Sequence, residues 1–302
     1  MTDRHSRIDL PAAALLVLLC AVWGLQQVVI KGTNAEIPPA LQAGLRSAGA
    51  ALLLLLWSRA RGIKLFDRDG TLTQGLLAGA LFGVEFAVLY RALALASASH
   101  IVLFLYAAPF FVALGAHLFV PSERLRLAQW AGLGCAFAGL AFGFGDALAV
   151  PAAHEAAGVV LALLAAFLWG ATTVLIKAGR LGRVVPEKTL FYQLAVSALI
   201  LPPISLWLGE PWPHSIDLGA LASMGFQTIC VAFLSYLAWF WLIRHYPAAQ
   251  ASSFTFLTPL FGVLAGGVLL GERLSPSLAL ALALVAIGIY LVNRREAGRP
   301  AA

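Results

Sequence analysis

Hydrophobic residues make up 61% of this 302-residue chain and charged residues 11%, whereas soluble domains average roughly 45–50% and about 25%. This composition excludes a water-soluble globular fold. The net charge of +6 therefore indicates contact with anionic lipid headgroups rather than nucleic acid, and we expect a protein embedded in the lipid bilayer.

Ten apolar runs follow one another along the chain, most of them long enough to cross a bilayer as a helix. They lie near residues 10–30, 37–57, 72–91, 96–120, 126–144, 156–177, 186–208, 217–242, 247–270 and 276–293. None alternates with period two, as barrel strands would. The sequence predicts an all-α polytopic membrane protein with ten transmembrane helices and connections too short for a soluble domain.

Lysine and arginine residues are distributed unevenly between the two sides of these ten helices. Sixteen of them fall on the side of the two termini and only three on the other side, and Arg46 lies inside the second helix. Because positive loops stay in the cytoplasm, both termini are predicted to be cytoplasmic. A cleavable signal peptide is not expected, since the first apolar run is too long.

Several motifs of the first half recur in the second half, in the same order and at an offset near 150. The repeated pairs are Trp23-Gly24 with Trp169-Gly170, Lys31 with Lys177, Ala98 and Pro109 with Ala248 and Pro259, and Glu123-Arg124-Leu125 with Glu272-Arg273-Leu274. Each half holds five helices, an odd number, so the second half enters the membrane from the opposite side. Such inverted repeats are typical of secondary transporters with a binding site near the midplane.

The repeat also divides the chain into segments. Residues 1–9 and 294–302 are predicted to be cytoplasmic termini, 10–144 and 156–293 the first and second five-helix repeats, and 145–155 a periplasmic linker.

The two halves resemble the EamA-type unit of the drug/metabolite transporter superfamily. The resemblance rests on the repeated motifs above, on Arg46, and on Tyr90-Arg91-Ala92-Leu93 running into Ala98. It implies a bacterial ten-helix exporter of amino acids or related metabolites, with the cavity among helices 1–4 and 6–9. The chain departs from the family at Phe119-Val-Pro-Ser, where a glycine is usual; the second half keeps Gly271.

Two ionisable residues lie deep within the predicted helices, and such residues are functional candidates in a membrane. Arg46 on helix 2 and Glu85 on helix 3 fall at similar depths. They are expected either to pair as a structural ion pair or to leave Glu85 facing the cavity, where it binds a substrate amino group or a proton. Arg46 is interpreted as structural because the resemblance implies it regardless of substrate.

Aromatic and polar side chains supply the remaining candidates for substrate binding. Rings can stack on a flat apolar molecule and attract a cation. The candidates are Trp23, Gln27, Tyr90, His100, Tyr106, Trp169, Thr173, Tyr236 and Trp239. The alternative for the rings is an anchoring role at the membrane interface. The repeat places Trp23 and Trp169 at related positions about one turn from their helix ends, which favours the cavity for these two rings. The alternative for the hydroxyl groups is bonding within their own helix.

Pro109 and Pro259 lie inside corresponding helices, where each removes a backbone hydrogen bond, and they are read as gating hinges or as static kinks. Cys20, Cys135 and Cys230 have neither metal-site spacing nor a close partner, so they are interpreted as small apolar residues. No nucleotide-binding or hydrolase motif occurs, so no catalytic residue, metal or cofactor is expected.

These observations predict a secondary transporter that exports small metabolites, most plausibly aromatic or other hydrophobic amino acids, across the inner membrane of a bacterium. Its partners are the substrate and the lipid bilayer, with no obligate protein partner and a monomer or homodimer. The alternatives are a proton-coupled multidrug or cation antiporter that uses Glu85, a membrane-embedded enzyme, and a receptor or scaffold.

Overall fold

The computed structural model describes residues 7–34, 36–145, 155–213, 216–271 and 276–294. Six helices form the first half: α1 Leu10–Thr33, α2 Pro39–Ala60, α3 Leu72–Leu93, α4 Ala98–Leu105, α5 Ala108–Phe119 and α6 Leu127–Gly143. Seven form the second: α7 Ala156–Ala178, α8 Pro186–Trp207, α9 Leu218–Phe226, α10 Tyr236–His245, α11 Ala248–Ser253, α12 Leu257–Leu270 and α13 Ser277–Asn293.

These helices form ten apolar spans, because three spans are interrupted. The pair α4 and α5 forms the fourth span, α9 and α10 are joined by a π-helix over Gln227–Ser235, and a 3₁₀ turn over Phe254–Phe256 joins α11 to α12. Eight spans are long and apolar enough to cross a membrane, and α6 and α13 are shorter, at 17 residues each. The predicted all-α polytopic fold is confirmed.

The sequence repeat is visible in the burial of equivalent helices. Both α2 and α8 begin with a proline, Pro39 and Pro186, which suits the first turn of a helix. Subtracting this offset of 147 places every buried residue of α8 on a buried residue of α2. The matched positions are Leu41, Gln42, Ala43, Arg46, Ser47, Ala50, Leu54 and Ser58 with Lys188, Thr189, Leu190, Gln193, Leu194, Ser197, Leu201 and Ser205.

The equivalent helices α6 and α13 run antiparallel to each other, as an inverted repeat requires. A Cβ on Gly132, early in α6, would lie 2.8 Å from the carbonyl oxygen of Gly288, late in α13. A Cβ on Gly139, later in α6, would lie 2.7 Å from the Cβ of Leu284, earlier in α13. Small residues let such helices approach closely in lipid.

One end of the bundle, here called the basic end, contains the C-termini of α2 and α7 and the N-termini of α3 and α8. There the Lys188 ammonium, 2% exposed, contacts Asp67 Oδ1 at 2.5 Å and Asp69 Oδ2 at 2.8 Å. This cluster fixes the α2–α3 loop on the start of α8. The other end of the bundle is called the opposite end.

The fourth and ninth spans break just before their prolines. The α4 helix ends at Leu105, four residues before Pro109, and the 3₁₀ turn before α12 includes Thr255, four residues before Pro259. A proline cannot hydrogen bond to the residue four positions earlier, and its ring crowds that carbonyl. Both spans are therefore interrupted at equivalent places.

The two copies of the Glu-Arg-Leu motif end differently. After α12, Gly271 adopts a left-handed conformation with φ 67°. After α5, by contrast, Val120 has φ −124° and leads into a 3₁₀ turn over Pro121–Glu123. The first half, which lacks a glycine at this place, thus has a different turn before its Glu-Arg-Leu motif. The second copy of the motif, Glu272-Arg273-Leu274, lies outside the described residues. So do residues 146–154 of the linker and residues 1–6 and 295–302 of the termini.

Candidate functional site

Three rings from α1 and α10, here called the aromatic cluster, meet inside the bundle: Trp23, Tyr236 and Trp239. The ring centroid of Trp23 lies 6.3 Å from that of Tyr236 and 5.5 Å from that of Trp239, in edge-to-face geometry. The indole Nε1 of Trp23 donates a hydrogen bond of 2.8 Å to Ser235 Oγ. The cluster therefore joins the first span to the eighth.

Trp23 and Trp169 lie near the middle of their helices, and the expected position one turn from the helix end is wrong. The α1 helix continues through Thr33, ten residues beyond Trp23, and α7 continues nine residues beyond Trp169. Thr33 Oγ1 bonds to the carbonyl of Val29 at 2.9 Å, and the Asn34 N–H bonds to the carbonyl of Ile30, so the polar end of the apolar run stays helical. At 1.5 Å per residue both indoles lie too deep for interface anchors.

The π-helix ends at Ser235, directly before the aromatic cluster. Ser235 Oγ donates to the carbonyl of Val231 at 2.6 Å while it accepts the Trp23 indole N–H. A π-segment inside an α-helix is rare and frequently marks a functional site. Here it sets the orientation of Tyr236 and Trp239 toward α1.

Helix α3 contributes a row of rings that continues the aromatic cluster toward α2. Phe82 lies 5.9 Å from Tyr236, Phe86 lies 5.0 Å from Phe82, and Tyr90 lies 5.9 Å from Phe86, measured between ring centroids. The guanidinium carbon of Arg46 lies 4.8 Å from the centroid of the Phe86 ring. Aromatic rings and one cation thus share the same interior region.

Arg46 is the largest side chain among the fully buried residues that the structure describes, with 1% of its surface exposed. Its charge acts on Glu85, Tyr90 and Tyr236, which surround it on α3 and α10. Glu85 is also buried, with 7% exposed. Among the described ion pairs within 4.0 Å, none joins Arg46 to Glu85. The close ion pair, one of the two arrangements expected from the sequence, is therefore absent from this conformation.

A second group of predicted residues comprises Tyr106, Trp169 and Gln27. Tyr106, at the break between α4 and α5, has its ring centroid 5.9 Å from that of Trp169. Its hydroxyl lies near the side chains of Thr258 and Gln27. Gln27 Oε1 would lie 2.6 Å from a Cβ on Gly262, so this glycine lets the amide approach α12.

Two predicted residues have other contacts. His100 Nδ1 lies 2.7 Å from Ser97 Oγ and 3.3 Å from Glu155 Oε2, at the starts of α4 and α7 and away from the aromatic cluster. Thr173 Oγ1 donates 3.0 Å to the carbonyl of Trp169 in its own helix. This is the backbone bonding that Ser and Thr often make in membrane helices.

Sequence reasoning missed two interior residues, Ser235 and Gln193. Gln193 is 1% exposed, and neither its Nε2 nor its Oε1 has a hydrogen-bond partner among the described residues. It is the eighth residue of α8, just as Arg46 is the eighth of α2. Aligning the repeats on Pro39 and Pro186 would have identified it.

At the opposite end, a crevice of about 430 Å³ lies between α1 and α9. It is lined by Val29, Thr33, Asp217 and Ser223, among others. Val29 lies six residues beyond Trp23, about 9 Å along the helix. On α1, the crevice therefore begins about two helical turns beyond the aromatic cluster.

Known proteins resemble this chain over most of its length. A probable amino-acid metabolite efflux pump of Salmonella typhimurium is 31% identical over 289 residues, covering 92% of this chain and 93% of that protein. An uncharacterized transporter of Bacillus subtilis is 29% identical over 297 residues, covering 96% and 94%. One solved structure, titled only as the crystal structure of a protein, shares the fold with a TM-score of 0.78 at 22% identity, covering 94% of this chain and 96% of that one.

The family match has the same twofold division as the helices. Residues 10–144 and residues 156–294 each match the model of the EamA-like transporter family. The chain therefore belongs to the EamA-like transporter family, and it is a multi-pass membrane transporter of small molecules rather than an enzyme.

Proposed function

We propose that this transporter exports amino acids, aromatic or otherwise hydrophobic, across the inner membrane of a bacterium with both termini in the cytoplasm. The observation that carries the proposal is the aromatic cluster at mid-helix depth, beside one buried cation and one buried carboxylate. A hydrophobic amino acid combines an apolar group with one charge of each sign. The Salmonella relative named as a probable amino-acid metabolite efflux pump supports the same substrate class.

The repeat supports alternating access as the mechanism. Two inverted halves around one site can exchange conformations, so that the site opens first to one side and then to the other. At the basic end, the buried Lys177 and Glu123 link α7 to the α5–α6 connection. The crevice at that end, against the α2–α3 loop, has a volume of about 290 Å³ and is smaller than the crevice of about 430 Å³ at the opposite end. This arrangement supports a state closed toward the cytoplasm.

In this mechanism the side chain of the substrate packs against Trp23, Tyr236 and Trp239. Edge-to-face contacts between aromatic rings contribute about 0.5–1.5 kcal/mol beyond the burial of area. Glu85 binds the substrate amino group. Tyr106, Trp169 and Gln27 line the second side of the path, and Pro109 and Pro259 act as hinges of the two interrupted spans.

Counterflow in proteoliposomes tests the proposal. Vesicles loaded with unlabelled phenylalanine, tryptophan or leucine should accumulate the labelled form of the same amino acid faster than protein-free vesicles. Replacing Trp239 with alanine should slow exchange at least tenfold, whereas Trp212→Ala, at an exposed ring, should leave it unchanged. Exchange no faster than in empty vesicles for the whole panel would refute amino-acid transport.

A second candidate function is proton-coupled export of organic cations. It is favoured by Glu85, a buried carboxylate with no cation within 4.0 Å among the described ion pairs. Glu85→Gln removes the charge and keeps the shape. If an imposed pH gradient drives uptake of a fluorescent cation in the wild type but not in E85Q, the antiporter is the better description.

A further inference from the structure

The Arg46 guanidinium is buried with only some of the partners that a buried cation requires. Its Nε and Nη1 atoms donate no hydrogen bond to any described residue, and only 1% of the side chain surface is exposed. Burying an ionised group is costly unless it is paired and hydrogen bonded. An anion that accepts from these donors would recover that cost.

We infer that Arg46 binds the carboxylate of the transported molecule, so that the site selects substrates carrying a carboxylate. This inference rests on the proposed function and names the group by which that site recognises its substrate. It reverses the expectation that Arg46 is structural. A carboxylate makes shorter and stronger hydrogen bonds with a guanidinium than neutral acceptors do.

The side chains around Arg46 are compatible with this role. The Phe86 ring covers the guanidinium at 4.8 Å, which holds it in place without neutralising its charge. The Tyr236 hydroxyl interacts with it and belongs to the aromatic cluster. A ligand whose apolar part contacts the Tyr236 ring therefore has its polar end near Arg46.

In the described conformation, Glu85 does not serve as the anion that pairs with Arg46. Its charge and that of Arg46 act on each other, yet they form no ion pair within 4.0 Å. Two opposite charges that are near but not joined match the two ends of a zwitterion. The amino group of the substrate goes to Glu85 and the carboxylate to Arg46.

The second repeat shows that the fold does not require a charge at this position. Gln193 is the eighth residue of α8, equivalent to Arg46, and it is equally buried. A neutral amide is thus accommodated in the same packing of the other half. Arg46→Gln places that amide in the first half and removes only the positive charge.

The first test compares three ligands that share one phenyl ring: phenylalanine, 3-phenylpropionate without the amino group, and phenethylamine without the carboxylate. Binding is measured as the rise in the thermal unfolding temperature of the purified protein in detergent. In the wild type, phenylalanine and 3-phenylpropionate should both raise it, and phenethylamine should raise it less. In R46Q the rise with the two carboxylates should disappear.

Transport gives the second readout. Exchange of phenylalanine by R46Q should fall at least tenfold and should recover in part in Arg46→Lys, which keeps the charge. Without ligand, R46Q should unfold at the same temperature as the wild type or higher, because an unpaired buried cation has been removed. Gln193→Ala is the matched control and should leave the response to carboxylates intact.

Two results would overturn the inference. One is a wild type that responds to phenethylamine as strongly as to 3-phenylpropionate. The other is an R46Q variant that unfolds at lower temperature and still responds to both carboxylates. If no amino acid is exchanged but 3-phenylpropionate stabilises the wild type and not R46Q, amino-acid export fails while the carboxylate site stands.

Discussion

Lys177 Nζ lies 3.0 Å from Glu123 Oε1, and this buried pair joins the two repeats at the basic end. The same ammonium donates to the carbonyls of Ile243 at 2.7 Å and Tyr246 at 2.5 Å, where α10 ends. Glu123 Oε2 accepts the Ala248 N–H at 2.7 Å, where α11 begins. Two residues that the sequence singled out only as repeated motifs thus close the turn between the eighth and ninth spans.

Removing both members of this pair together should cost less stability than the sum of the two single removals. Lys177→Met leaves the Glu123 carboxylate buried and unpaired, and breaking a buried pair in this way typically costs about 3–5 kcal/mol. The double variant with Glu123→Gln leaves no charge behind. Thermal unfolding in detergent should therefore show a smaller loss for the double variant than the sum of the two single losses.

Arg68→Ala is the control for this cycle, because Arg68 is an exposed residue of the neighbouring loop. It should unfold at the wild-type temperature. Additive losses in the cycle would show that Lys177 and Glu123 act independently.

Substituting the glycine of either Trp-Gly motif should destabilise the protein, because each glycine lies at a helix crossing. A Cβ on Gly24 would lie 2.7 Å from the Cβ of Phe261, and a Cβ on Gly170 would lie 2.5 Å from the Cβ of Phe111. Overpacking of this kind costs typically about 1–3 kcal/mol. Gly24→Ala and Gly170→Ala should each lower the unfolding temperature.

Gly225→Ala serves as the matched control, because a Cβ there meets no atom within 4 Å. It should unfold at the wild-type temperature or slightly above, since alanine favours a helix more than glycine does. A loss at Gly225 equal to that at Gly24 would show that the effect does not come from crowding.

The repeat and the number of spans were predictable because they depend on composition and on rare residues. Trp23, Gly24 and Lys31 recur at fixed spacing, and the structure gives the reason for two of the three second copies: Gly170 allows α7 to cross α5, and Lys177 closes the basic end. Hydrophobic runs fix the helices to within three residues. The observed helix ends differ from the predicted ones where a polar segment continues the helix, as at Thr33.

The irregular parts of the site could not be read from the sequence. The π-helix before Tyr236 packs against α1 and α2, and its residues are as apolar as those of an ordinary span. The separation of Arg46 from Glu85 is a matter of ångströms between two helices, which residue counting along each helix cannot supply. His100 looked like a cavity residue, and only the fold brings it to Glu155.

The loop between α2 and α3 should lose stability in acid. Contact with the Lys188 ammonium, and then with the Thr71 hydroxyl, lowers the pKa of the Asp69 carboxyl from 3.8 to about 2. Because the folded pKa is the lower one, the ionised carboxylate stabilises the fold above pH 3.8, and this contribution disappears as the pH falls toward 2. Asp69→Asn should therefore unfold at lower temperature than the wild type at pH 7.

The difference between Asp69→Asn and the wild type should shrink as the pH is lowered from 4 toward 2. Thermal unfolding at several pH values measures it, with Arg68→Ala as a control whose difference from the wild type stays constant. An Asn variant equal to the wild type at pH 7 would mean that Asp67 holds Lys188 alone.

Pro109 and Pro259 should govern the rate of transport more than the stability of the fold. Each follows an interruption at an equivalent place in its repeat, between α4 and α5 and between α11 and α12. Alanine supplies the missing N–H, so the carbonyl four residues earlier gains a partner and the span can become continuous. Pro109→Ala and Pro259→Ala should unfold at or above the wild-type temperature.

If the interruptions are hinges, the same variants should exchange substrate several-fold more slowly at saturating concentration, with the half-saturating concentration little changed. Counterflow in proteoliposomes measures both quantities. Pro203→Ala is the control, since this proline lies within α8 at a position where the helix is not interrupted. If the two bends are static kinks, they do not move during the transport cycle, so the exchange rate at saturating concentration should stay unchanged. Straightening such a kink would alter the binding site itself, and the half-saturating concentration should then rise.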